Sequence, residues 1–177
     1  MGRRQDRQDR RTERRGGVVP IRYRMREKLL TIGDDSIIED GDGNKAFYVD
    51  GKALRVRQTL IFRDMQGNEL CKIQERMLRV KDTMEIEGPA GERLAMVKKA
   101  LITPLRDRWV VKIGDGPDMS IQGNILDHEY TISAGNTRVA EVSRKWFRIR
   151  DTYGVEIQPG QNDILILAVT VAIDMMR

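Results

Sequence analysis

The chain has 177 residues, of which 40% are hydrophobic and 33% charged; this suffices for one domain with a core and is too short for two ordinary domains. The formal net charge is +5, and segment 1–15 supplies +4 of it through seven arginines against three acidic residues. The basic charge is therefore weak support for nucleic-acid binding by the rest of the chain.

Residues 1–17 show no hydrophobic periodicity and end in Gly16-Gly17, so we predict a disordered Arg-rich arm followed by a single domain over 18–177. Cys71 is the only cysteine, which excludes an intrachain disulfide and suits a reducing compartment. No apolar signal segment opens the chain. The expected location is cytoplasmic, with peripheral attachment to a membrane left open.

From residue 26 the chain repeats with a period of 24, in units that start at residues 26, 50, 74, 98 and 122, with a sixth unit at 143. Each unit has an apolar pair near its start and a strand-like run about ten residues later. The runs are 36–39, 59–62, 83–86, 109–112, 129–132 and 154–157. Turns rich in Gly and Asn, residue types that tolerate positive φ, follow at 42–44, 66–68, 88–91, 114–117 and 134–136.

Two strands of about eight residues and two turns fit one 24-residue unit. Six units predict about twelve antiparallel strands. A sheet of that size usually splits or closes, and closure removes its exposed edges.

The last segment differs from the repeats. Asn162 and Asp163 are typical of a helix start, and residues 164–173 are apolar on every side, which favours a buried helix inside the barrel. The run is too short to span a membrane, which takes about 20 residues. Its Ile, Val and Thr residues equally favour a thirteenth, central strand.

Four strings together resemble one known family: Tyr23 to Lys28, Asp64 to Leu70, Gly123 to Ile132 and Asp151 to Ile157. With the closing run from Leu165 to Met176, which contains Asp174, they resemble the LURP-one-related family within the tubby C-terminal-like superfamily, over about 20–177. The superfamily also includes phospholipid scramblases.

That resemblance implies a mainly β fold, a closed antiparallel β-barrel of about twelve strands around a central hydrophobic C-terminal α-helix at about 163–176. It implies little about activity. Tubby-type relatives bind phosphoinositides and scramblases associate with membranes and calcium, but this sequence has no acidic calcium-loop pattern, no cysteine cluster for acylation and no membrane-spanning tail.

Single residues give no catalytic or metal site. His128, the only histidine, has no Ser or Cys nucleophile near it in sequence and is interpreted as a structural residue in a strand. Cys71 is interpreted as a buried, inert thiol, and one Cys with one His cannot build an ordinary zinc site. Asp40, Asp42 and Asn44 are typical of a hairpin turn, since the Glu that an EF-hand needs at its twelfth position is Gly51.

Two basic stretches remain as predicted contacts to an anion or phospholipid. They are Lys98, Lys99, Arg106, Arg108, Arg144, Lys145, Arg148 and Arg150. In strands, Arg106 and Arg108 would share one face, and so would Arg148 and Arg150. The alternative is that these residues belong to an ordinary solvated outer face, where the neighbouring aspartates at 107 and 151 reduce the net positive charge.

The sequence thus predicts a non-enzymatic binding or scaffold module without a cofactor, whose candidate partners are an anionic phospholipid or phosphoinositide and a protein. One alternative is a nucleic-acid-associated protein that acts through its basic arm. A second is a protein-interaction scaffold without a small ligand, and a third is an enzyme of unrecognised type.

Overall fold

A computed structural model describes residues 18–26, 36–51, 59–76, 83–100 and 107–176. The predicted arm 1–17 therefore lies outside the described residues. Within these ranges the chain forms twelve strands and one helix. They are β1 Ile21–Arg26, β2 Ser36–Glu39, β3 Lys45–Asp50, β4 Thr59–Asp64, β5 Glu69–Glu75, β6 Thr83–Glu87, β7 Arg93–Lys99, β8 Asp107–Ile113, β9 Met119–Asn124, β10 Glu129–Ala134, β11 Thr137–Ser143, β12 Thr152–Ile157 and α1 Asp163–Met175.

The strands form one closed antiparallel barrel. Each strand pairs with its neighbours in the chain, and β1 pairs with β12, Tyr23 opposite Val155, which closes the ring. Side chains alternate between the lumen and the outside, as in β6, where Met84 and Ile86 are buried and Glu85 between them is partly exposed. The predicted fold class is confirmed, with strands of four to seven residues instead of the expected eight.

Helix α1 occupies the lumen. It begins after Asn162, whose side-chain oxygen accepts a hydrogen bond from the Leu165 N–H at 3.0 Å, and residues 166–173 are all buried. Thirteen residues make a helix of about 20 Å, similar to the length of a six-residue strand, about 20 Å. The helix therefore fills the barrel along most of its height.

The choice between a central helix and a thirteenth strand is decided in favour of the helix. Every strand of the ring already has two neighbours, so a strand in the lumen would find no edge to pair with. A helix satisfies its backbone N–H and C=O groups internally, and only its apolar side chains meet the barrel wall.

The connections alternate between the two ends of the barrel, because successive strands are antiparallel. The end where α1 begins, here called the turn end, carries the short turns at 40–44, 64–68, 88–92, 114–118 and 135–136. The opposite end, here called the helix-exit end, carries the β9–β10 turn at 125–128 and the β11–β12 loop at 144–151.

The predicted repeat appears as equivalent turns. Gly43, Gly67 and Gly91, spaced by 24 residues, all have positive φ, +86°, +88° and +81°. The Asp40 carboxylate accepts hydrogen bonds from the backbone N–H groups of Asp42 and Asn44, and hydrogen bonds to Asn44 are the main cause that lowers its pKa. Its oxygens serve the turn itself, as hairpin chemistry requires.

Candidate anion-binding end of the barrel

The predicted basic residues meet at one end of the barrel. Strand β7 ends at Lys99, β8 begins at Asp107, β11 ends at Ser143 and β12 begins at Thr152, all at the helix-exit end. Seven of the eight predicted residues therefore lie at this end: Lys98, Lys99, Arg108, Arg144, Lys145, Arg148 and Arg150. The eighth, Arg106, lies outside the described residues.

The first group belongs to β7 and β8. Lys98 stands opposite Val110 and therefore on the outer face, as Arg108 does. Lys99 stands opposite the buried Trp109, on the lumen side of the rim, with its Nζ 5.6 Å from the centroid of the Trp109 ring. Lys98 and Arg108 thus share a surface, and Lys99 makes a cation–π contact at the mouth of the barrel.

The second group lies in the loop 144–151. The expectation that Arg148 and Arg150 share the face of a strand is wrong, because β12 begins only at Thr152. The preceding Asp151 has a φ of +58°, a left-handed conformation that interrupts an extended chain. The two arginines project from a loop.

Two aromatic residues hold this loop against the outside of the barrel. A Cβ atom at Gly154 would lie 2.6 Å from Trp146 Cε3 and 2.8 Å from Phe147 Cε2, so only glycine lets both rings lie on β12. The Arg22 guanidinium lies 4.8 Å from the centroid of the Trp146 ring, and that of Arg24 lies 5.8 Å from the centroid of Phe147. Strands β1 and β12 thus hold the middle of the loop.

Glu129, the first residue of β10, connects the loop to the neighbouring turn. Its carboxylate accepts hydrogen bonds from Ser143 Oγ at 3.0 Å and from the Arg144 backbone N–H at 3.1 Å. Lys145 Nζ lies 3.3 Å from Glu129 Oε2. The Arg150 side chain is 95% exposed, and its Nε lies 4.0 Å from Asp151, so most of its charge faces solvent.

A buried polar cluster lies beneath the turn 125–128. His128 is fully buried, has a φ of +52° and stacks on Tyr153 with ring centroids 4.0 Å apart. Its Nε2 lies 3.0 Å from Asp174 Oδ1, and the Tyr153 hydroxyl donates to Asp174 Oδ2 at 2.5 Å. His128 lies in a turn and not in the expected strand.

This cluster joins the end of α1 to two other segments of the chain. Asp174 stands in the last turn of α1, where the helix dipole disfavours a negative charge, and the contacts with His128 and Tyr153 help to offset that cost. Three of the strings behind the family resemblance contribute one residue each to the cluster, His128, Tyr153 and Asp174. They fasten the helix exit to β12 and to the turn.

The comparison with protein families decides the identity of the barrel. The family described as LURP-one-related matches residues 21–174. This chain belongs to the LURP-one-related family. An Arabidopsis thaliana protein solved by X-ray crystallography superimposes with a TM-score of 0.66 at 20% sequence identity, over 90% of this chain and 93% of that chain, and this likeness shows the fold. No curated protein matches the sequence.

Sequence reasoning missed two residues of this LURP-one-related barrel. Leu126 and Ile149 are 67% and 52% exposed, and they lie in the turn 125–128 and the loop 144–151. In the repeat that starts at residue 122, Ile125 and Leu126 form the apolar pair, and Leu126 had no other significance there. The signal that could have found it is the position of that pair, which falls between strands and not within one.

Among the described turns and loops of this LURP-one-related barrel, charge differs between the two ends. The turns 40–44, 64–68, 88–92, 114–118 and 135–136 of the turn end contain six acidic residues and no basic one. The loop 144–151 at the helix-exit end contains four basic residues and one acidic residue. In the described turns and loops, negative charge therefore concentrates at the turn end and positive charge in the loop 144–151.

The described part of the chain offers little support for other site chemistries. No helix there is long and apolar enough to cross a membrane. Those same ranges contain no group of three or more His, Cys, Asp or Glu side chains placed to hold a metal ion. Cys71 lies inside the barrel, where burial and then Glu69 raise the pKa of its thiol to about 12.

Proposed function

We propose that this LURP-one-related chain is a non-enzymatic, cytoplasmic binding module that engages anionic phospholipids through the helix-exit end of its barrel. Family and fold favour a binding or scaffold module. The observation that carries the proposal is the gathering of seven basic residues at one end, opposite the acidic turns. Lys and Arg are the side chains that recognise phosphate groups.

The expected strength follows from the charge of the loop. Each Lys or Arg near an anionic leaflet contributes about 1 kcal/mol, so Arg148 and Arg150 together contribute about 2 kcal/mol, or about 30-fold in affinity. The acidic turns do not cancel this attraction. They lie a strand length away, about 20 Å, and the Debye length at physiological salt is about 8 Å.

The spacing of the two basic groups favours an extended surface over a single pocket. Strands β8 and β11 are three strand positions apart around the barrel, a separation of about 15 Å. One phosphate cannot contact both groups, so we expect several lipid headgroups to be engaged at once. Phosphatidylserine vesicles and phosphoinositide vesicles then bind according to their surface charge.

The test is co-sedimentation of the full chain with neutral, phosphatidylserine and phosphoinositide vesicles. We expect binding to both anionic vesicles, weakened about 30-fold in the Arg148→Ala/Arg150→Ala variant. The matched control is Lys45→Ala/Arg138→Ala, which removes two exposed basic side chains at the turn end and lowers the net charge equally. Equal losses in both variants, or no loss in either, would contradict the proposal.

A chain that starts at Val18 separates the barrel from the arm. If binding persists without residues 1–17, the lipid surface belongs to the barrel. If binding disappears, the arm supplies unspecific charge, and the nucleic-acid alternative predicts the same loss with RNA or DNA and a steep salt dependence. If neither chain binds vesicles, the protein-interaction scaffold is the better hypothesis.

A further inference from the structure

We infer that Leu126 and Ile149 insert into the membrane below its headgroups, so that the helix-exit end of the barrel faces the bilayer. This inference rests on the proposed function and adds the apolar contacts and the orientation. Both side chains are largely exposed, and both belong to connections at the basic end. Basic residues around exposed apolar side chains are typical of surfaces that lie in the membrane interface.

The exposure of Leu126 is built into its turn. Ile125 and His128 on either side are buried, and the Asn124 side chain donates a hydrogen bond to Asp127 Oδ2 at 2.6 Å, which closes the turn. With both flanks anchored inside the barrel, Leu126 is directed outward. A preformed contact avoids most of the ordering cost of binding.

Ile149 is presented in a similar way. It stands between Arg148 and Arg150 in the loop 144–151, and its carbonyl accepts a hydrogen bond from Thr152 Oγ1 at 2.6 Å. The rings of Trp146 and Phe147 in the same loop pack on Gly154. The sequence Arg-Ile-Arg places one apolar side chain between two that bind phosphate. Such an arrangement lets the arginines stay among the headgroups while the isoleucine reaches the acyl boundary.

The connections that carry the two apolar residues are neighbours at the helix-exit end of the barrel. Strands β10, β11 and β12 are consecutive neighbours in the barrel. The carboxylate of Glu129, which directly follows the Leu126 turn, accepts the hydrogen bonds of Ser143 and Arg144 at the start of the loop. These hydrogen bonds therefore join the two connections that carry Leu126 and Ile149.

Four other large apolar side chains are exposed among the described residues, and their surroundings differ. They are Val18, Val19, Ile21 and Met65. All lie toward the turn end, where β1 begins and the acidic turns cluster. Met65, 42% exposed and next to Asp64, is the matched control, because the same kind of side chain there faces a surface that an anionic membrane repels.

The test attaches an environment-sensitive fluorophore to full-length protein through Leu126→Cys, and in a second sample through Met65→Cys. Cys71 is buried, so labelling of the folded protein is selective. With phosphatidylserine vesicles we expect a blue shift and quenching by acyl-chain quenchers for the Leu126→Cys label, and neither for the Met65→Cys label. The Leu126→Ala/Ile149→Ala variant is expected to partition about 30-fold more weakly, with the loss retained at high salt.

The outcomes separate the inference from the proposed function. If vesicles bind the protein and the Leu126→Cys label stays in water, binding is electrostatic only, so the inference fails and the proposed function stands. Equal shifts for both labels would overturn the proposed orientation. If no vesicle binds the protein at all, both fail together.

Discussion

Ala168→Asp tests whether the lumen is as dry as the packing of α1 implies. Ala168 lies in the middle of the helix, fully buried, and the residues from 166 to 173 around it are buried as well. A carboxylate at this position meets apolar side chains of the barrel wall. At neutral pH it must either carry its charge into the core or take up a proton.

Protonation is the less costly route, and its cost can be estimated. An aspartate with an ordinary pKa of about 3.9 takes up a proton at neutral pH for about 4 kcal/mol. The neutral carboxyl group then lacks hydrogen-bond partners, which costs about 1–3 kcal/mol, and its extra volume costs about 1–3 kcal/mol. The total approaches the whole stability of an ordinary domain, about 5–15 kcal/mol, so we expect a largely unfolded variant at neutral pH.

Urea unfolding followed by circular dichroism measures this effect, with Ala168→Val as the control for added volume. In a dry lumen the folded-state pKa of the new carboxyl group lies above its unfolded value. The destabilisation is therefore full above the folded-state pKa and shrinks as the pH falls toward about 4. The valine variant should lose about 1–3 kcal/mol without that pH dependence. If both variants unfold alike at neutral pH, the helix is not surrounded by a dry core.

Three further predictions concern the helix exit, the loop and the core. Tyr153→Phe removes a hydrogen bond to Asp174 and should lower the free energy of unfolding by about 1–3 kcal/mol. An unchanged urea midpoint would contradict the inference that the cluster fastens the end of the helix. Gly154→Ala places a Cβ against Trp146 and should release the loop 144–151 from the barrel. Trypsin should then cleave faster within the loop, and an unchanged cleavage pattern would contradict the inference that the aromatic rings hold the loop on Gly154. Cys71, buried and with its pKa raised to about 12, should react with thiol reagents only as fast as the barrel unfolds in urea, and rapid labelling of the native protein would contradict its burial.

The repeating features of the fold could be predicted from the sequence because they are local. Positive φ at Gly43, Gly67 and Gly91 follows from glycine's freedom in tight turns, and the alternation of Met84 with Glu85 follows from the geometry of a strand. Each needs only neighbouring residues. The two basic stretches could likewise be recognised in the sequence from their Lys and Arg residues.

The arrangement of the basic and exposed apolar residues in space depended on tertiary structure. Arg108 and Arg148 lie at one end because of the direction in which each strand crosses a closed barrel, and the expected strand at Arg148 is a loop because two aromatic rings dock on Gly154. The exposure of Leu126 depends on the burial of His128 against Asp174, 46 residues away. These are contacts between distant segments, which local propensity does not report.

The C-terminal segment shows most clearly which features the sequence determines and which the tertiary structure decides. By itself the sequence from 164 to 173 determined that the segment must be buried, since it offers no polar face to water. It left helix and strand equally open, since β-branched residues are compatible with both. Closure of the ring decided between them, because a lumen without a free strand edge accepts only a segment that pairs its backbone groups internally.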